Sequence, residues 1–103
     1  MRAMNHNEGK SKWSTLFGDF YDAFIEVLEA RRKGCEKYPR DNWSQSIGTD
    51  DHDRFCQDNL DSILRHTLAL TRGEQRDEES GCHHGAHIVL RGLFAICYWK
   101  RNG

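Results

Sequence analysis

Apolar residues recur with helical spacing in three stretches of the chain, and nowhere do they alternate over a convincing strand length. From Ser14 to about Gly34, Phe17, Phe20, Phe24, Val27 and Leu28 fall on one face with Tyr21 beside them, and Gly34 is a predicted stop. From about Asp51 to Thr71, Leu60, Ile63, Leu64, Thr67 and Leu70 mark a second face. Thr49 to Asp51 offer N-caps to that helix and Gly73 ends it. A third helix is predicted from near Ser80 to about Lys100, with Ala86, Val89, Leu90, Leu93 and Cys97 in its stripe and Phe94 and Ile96 widening it. Residues 35–50, around the single proline Pro39, are turn-rich and aperiodic, and the first dozen residues are polar and predicted to be extended or mobile. The pattern predicts one all-α domain over residues 1–103, a small bundle of three main helices with residues 1–13 flexible.

The third helix is apolar around most of its circumference, since Ile88, Ala95, Tyr98 and Trp99 extend its stripe. One protomer of 103 residues is too small to cover it, so a homodimer or tetramer with a shared helical core is predicted. Hydrophobic residues make up 37% of the chain and charged residues 30%, a globular rather than a disordered balance. The formal net charge of -1 argues against general nucleic-acid binding, which needs a basic surface, but leaves room for a local cationic pocket. No apolar run approaches the roughly 20 residues of a membrane span, and no signal-peptide core stands at the N-terminus, so a cytoplasmic location is expected. Cys35, Cys56, Cys82 and Cys97 form no CxxC pair; Cys56, Cys82 and Cys97 fall on or near apolar faces and read as reduced, buried thiols.

Three groups of residues carry candidate chemistry. Glu26 and Glu29, and Asp58 and Asp61, are carboxylate pairs at i,i+3 spacing on the first two helices. Facing one another they would hold Mg²⁺, which prefers carboxylate oxygens; left in solvent they are ordinary ion-pair partners of Lys33 and Arg65. The second group is the joint Gly73-Glu74-Gln75-Arg76-Asp77-Glu78-Glu79-Ser80-Gly81-Cys82-His83-His84-Gly85-Ala86-His87. Its acids suit the positive end of a following helix and Ser80 is a predicted cap. The histidines need another reason. His84, His87 and Arg91 share one side of the third helix, with Tyr98 extending the line, a row suited to a triphosphate. Zinc on Cys82, His83 or His84, and His87, with help from His66, is the lesser alternative, for want of a second ligand cluster. The third group, Lys37-Tyr38-Pro39-Arg40-Asp41-Asn42-Trp43, interleaves aromatics, bases and an amide, as a purine site would; a loop pinned to the bundle by Tyr38 and Trp43 would look the same.

Taken in order, GKSKW, KYPRDNW, DSILRH and GEQRDEESGCHHGAH resemble the small phage and bacterial dATP/dGTP diphosphohydrolases, over about residues 8–98. The spaced acids are also similar to those of MazG-type nucleotide pyrophosphohydrolases, more distantly. The resemblance implies an all-α enzyme that hydrolyses purine deoxynucleoside triphosphates to monophosphate and pyrophosphate with a divalent metal. Lys37, Tyr38, Asn42, Trp43, Arg65, His66, Asp77, Glu79, His84 and His87 match the family's pattern. The chain departs from it at Pro39, where the family usually has glycine, and at His83, where proline is common.

On this reading Mg²⁺ or Mn²⁺ is held among Glu26, Glu29, Asp58, Asp61, Asp77 and Glu79. Lys37, Arg65 and Arg91 clamp phosphates, and Tyr38, Asn42 and Trp43 meet the base. His66, His84, His87 and Glu79 are the catalytic candidates. The elbow and the KYPRDNW loop are expected to close around a single charged cavity. The alternative is a non-catalytic phage protein that sequesters a nucleotide or captures a host defence protein.

Overall fold

A computed structural model describes residues 12–102. The predicted mobility of residues 1–13 falls almost wholly outside that range. Four helices follow one another: α1 (Trp13–Phe17), α2 (Tyr21–Lys37), α3 (His52–Thr71) and α4 (His84–Arg101), with a 3₁₀ turn at Asn42–Ser44. The fold is all-α; among the described residues the sole β feature is an isolated bridge between Arg76 and His83. No helix of the described residues is long and apolar enough to cross a membrane.

The predicted boundaries hold for α3 and shift elsewhere. The first predicted helix is interrupted by a turn at Gly18-Asp19-Phe20, where two weak helix formers adjoin. It then runs through Gly34 and stops only at Lys37, because Pro39 forces Tyr38 into an extended conformation (φ -135°, ψ 153°). The last helix begins at His84 rather than Ser80. Its cap is the His83 ring, which accepts from the Gly85 N–H at 2.8 Å. Ser80 instead closes a turn on Asp77, whose carboxylate accepts the Ser80 N–H at 2.8 Å.

Helix α4 is the hub. It packs along α3 and against α2, while α2 and α3 barely meet. The α2–α4 seam is built from small residues, Val27 and Ala30 against Cys82 and Ala86, with Phe24 and Leu90 packed beside them. Phe94 and Tyr98 continue the core towards the 3₁₀ turn.

Much of the predicted apolar surface stays outside. Phe17, Phe20, Tyr21 and Leu28 are exposed on α1 and α2, Leu60, Leu64 and Thr67 on α3, and Val89, Leu93 and Ile96 on α4. Helix α3 is turned inside out: its buried residues include Asn59 and Ser62, and Leu60, Leu64 and Leu68 point away. Helical spacing identifies an apolar face, but not whether a neighbour in the same chain covers it. Of the cysteines predicted to be buried, Cys82 is, Cys56 and Cys97 are half-buried, and all four thiols are free.

Candidate functional site

The gap between α2 and α3, floored by α4, is a cleft of about 780 Å³. Such a volume lies within the roughly 300–1,000 Å³ usual for small-molecule sites. Lys33 and Lys37 enter it from α2, Asp58, Asn59, Ser62, Arg65 and His66 from α3, and His87, Arg91 and Tyr98 from α4. The KYPRDNW loop adds Tyr38, Pro39, Asn42 and Trp43, and the elbow adds Asp77, Glu79 and Ser80. The two segments singled out in the sequence therefore line one cleft, in which charged and polar side chains stand among apolar ones such as Phe55, Leu90 and Phe94.

The elbow is held by backbone and long-range polar contacts. Gly73 ends α3 at φ 82° and Gly81 turns the chain at φ 75°, both in the left-handed region that side chains disfavour. The Asp77 N–H donates to the Cys82 carbonyl at 2.8 Å and the His84 N–H to the Gln75 carbonyl at 2.9 Å, folding the elbow on itself. Helix α2 clamps it from the side: Glu26 accepts the His83 N–H and the Arg76 guanidinium, both at 2.9 Å. The His83 N–H, then Arg76, keep the Glu26 carboxyl below its ordinary range. Lys33 Nζ donates to the Ser80 carbonyl, and Lys37 pairs with Glu79.

Three histidines meet behind this clasp. His66 Nδ1 lies 2.8 Å from His84 Nδ1, and the His66 ring stacks on His87 with centroids 4.5 Å apart and planes 5° from parallel. His87 Nε2 is 2.7 Å from Ser80 Oγ. Burial, reinforced by the neighbouring His87, pushes the His66 imidazole down to about 4, and burial also lowers His87. Both rings are therefore neutral at neutral pH. Asp77 is pulled the other way by burial, but the Ser80 N–H and hydroxyl outweigh it and keep the carboxyl below its usual value.

Arg91 is the principal cation of the cleft. Burial lowers its guanidinium, Arg65 repels it, and tyrosines Tyr98 and Tyr38 are its other electrostatic neighbours. Among the described residues neither Arg91 nor Arg65 has a carboxylate partner. A half-buried cation without a counter-ion is costly unless an anion arrives.

The other predicted site residues divide clearly. Asp58, Asp77 and Glu79 share the cleft wall; Glu26 is spent on the elbow, Glu29 pairs with Arg32 at 2.6 Å, and Asp61 accepts from Gln57 at 3.1 Å, all outside it. The six acids thus do not converge on one point. Trp43 lines the cleft but is occupied by the protein: Phe94 stacks on it at 4.8 Å and 18°, Arg101 stands 5.5 Å from its centroid, and Tyr98 Oη donates to its carbonyl at 2.6 Å. Tyr38 is exposed at the rim, with the Lys37 ammonium 5.9 Å from its ring centroid. Lys33, Asn59, Ser62 and Ser80 line the site, although from the sequence Lys33 was only an ion-pair partner, Asn59 and Ser62 had no role and Ser80 was a cap. Their signal was the polar file Asp58, Ser62, Arg65 at helical spacing, which reads equally as a solvent face.

The family described as dATP/dGTP diphosphohydrolase, N-terminal, matches residues 2–103. The chain is 32% identical over 102 residues to a protein of Salmonella phage PMBT28 named dATP/dGTP diphosphohydrolase, covering 99% of this chain. It spans 31% of the length of that curated relative. No solved structure matches.

Proposed function

The chain belongs to the dATP/dGTP diphosphohydrolase N-terminal family, and on that premise we propose that its cleft binds a purine deoxynucleoside triphosphate and hydrolyses it to monophosphate and pyrophosphate. The observation that carries the reading is Arg91, half-buried beside Arg65 with no carboxylate partner among the described residues. A triphosphate supplies the missing negative charge, and guanidinium groups match its oxygens with planar, paired donors.

In this reading Arg91 and Arg65 hold the phosphates. Lys37 joins them by exchanging Glu79 for a phosphate oxygen. Tyr38 offers its ring to the base and Asn42 its amide, while Trp43 shapes the wall. Water attacks phosphorus, the bond to the bridging oxygen breaks, and pyrophosphate leaves with the bonding electrons. The neutral imidazole of His87 keeps a lone pair able to take the proton of that water. A divalent ion, when bound, neutralises phosphate charge and activates water. The residues do not fit the all-carboxylate Mg²⁺ centre expected from the sequence, because its six acids are divided between the cleft wall and the outer surface.

The protein works, on the same proposal, as a homo-oligomer. Leu60, Leu64 and Leu68 on α3 and Val89, Leu93 and Ile96 on α4 support this, since a monomer rarely leaves so many leucine-sized side chains outside. Light scattering checks it; a monomer at micromolar concentration would sink that part alone.

The activity test is incubation with dATP or dGTP and a divalent metal. Pyrophosphate release that disappears in Arg91→Met is the expected result. Tight binding without release would leave nucleotide capture as the function, and absence of both would remove the reading.

A further inference from the structure

The donor atoms of His66, Asp77 and His84 lie within 4.8 Å of one another, and theirs is the group of that kind found among the described residues. Tetrahedral coordination at the usual zinc distances separates neighbouring ligand atoms by about 3.4 Å. The 2.8 Å between the two Nδ1 atoms and the 4.8 Å limit of the set bracket that separation. We propose that His66, Asp77 and His84 form a site for a borderline divalent transition ion such as Zn²⁺ or Co²⁺.

Three features beyond proximity support it. First, two imidazole nitrogens turn towards one point, which without an ion leaves them a single shared hydrogen bond. Second, each ligand is fixed from outside the group: His66 by stacking on His87, Asp77 by the Ser80 N–H, and His84 by its backbone bond to Gln75. Such outer support is usual around bound metals. Third, His66 and Asp77 line the cleft while His84 is buried behind it, so three protein ligands leave the remaining coordination facing the cavity. Two nitrogens and one carboxylate select transition ions over Mg²⁺, which takes oxygen ligands. The lesser zinc set expected from the sequence changes membership: Cys82, with its thiol directed to the Ser80 carbonyl, and His87 leave it, and Asp77 joins His66 and His84.

Only the identity of what fills the open position, a phosphate oxygen or water, rests on the nucleotide reading. The test therefore omits nucleotide. Chelator-treated protein is titrated with Co²⁺, followed by its visible absorption and by thermal denaturation. One equivalent should bind, raise the melting temperature, and resist a large excess of Mg²⁺. His66→Ala and Asp77→Asn should each lose more than the roughly 10–100-fold that changes in outer-shell partners cost. Cys82→Ser should bind as the parent does, without change in the band. The near-isosteric Asp77→Asn guards against a variant that fails to fold, and circular dichroism without metal verifies both. Absence of stoichiometric Co²⁺ binding, or unchanged affinity in folded His66→Ala and Asp77→Asn, overturns the site. A separate titration with a non-hydrolysable dNTP keeps failure of the nucleotide reading distinct: metal bound without nucleotide preserves this inference and removes that reading.

Discussion

Replacing Arg91 by methionine separates the binding function of this cation from its structural contacts. The side chain keeps its stem but loses the guanidinium, which stands 5.8 Å from the Phe94 ring centroid and beside Arg65. Removing the charge forfeits a cation–π contact of about 0.5–1 kcal/mol. It also relieves burial of a charge and repulsion from Arg65, so the net change in stability should stay within about 1 kcal/mol. The Asn59 amide still donates to the residue 91 carbonyl, 2.9 Å away in the parent, so the α3–α4 link survives. Binding behaves differently. A hydrogen bond to a charged phosphate oxygen contributes about 1.5–3 kcal/mol net. Its loss weakens affinity by about 10- to 150-fold. Calorimetric titration with a non-hydrolysable dATP analogue, alongside urea denaturation, reads both quantities. Unchanged affinity refutes the anion-binding role; destabilisation by several kcal/mol with unchanged affinity would make Arg91 a structural residue.

Phe94→Ala removes a 9%-exposed ring stacked on Trp43 and should cost about 3–5 kcal/mol, read by urea denaturation, while freeing the Asn42–Ser44 turn. Gly81→Ala places a side chain at φ 75° and should cost about 1–2 kcal/mol; proteolysis should then cut the elbow sooner. In chelator, stability should fall as pH drops from 6.5 towards 4, because the unfolded chain takes up a proton that folded His66 refuses until about 4. The contribution of depressed Asp77 is lost only lower, below 3.8, so His66→Asn should shrink the first window, to which depressed His87 also contributes, and leave the second.

The sequence was most legible where chemistry and local geometry agree. Helix α3 occupies nearly its predicted span and a glycine turns the chain after it, although Asp51 at its start makes no side-chain cap. The elbow and the KYPRDNW loop reach one cleft, as their residue types suggested. Orientation was much less legible. Asn59 and Ser62 lie inside while Leu60 and Leu64 lie outside, since the sequence could not show that α3 borders a polar cleft on its inner side. The pairing of Glu26 with the His83 N–H spans 57 residues, which no local pattern announces. Trp43 was equally open to two readings until Phe94, far along the chain, took its face.

The near absence of contact between α2 and α3 has a mechanical consequence. Both lean on α4 like the arms of an open clothes-peg, and little besides the elbow clasp resists their spreading. Any molecule gripped at once by Lys37 on one arm and Arg65 on the other acts as a cross-brace. Occupancy should therefore slow amide hydrogen exchange along both arms, including positions a turn or more from the bound molecule.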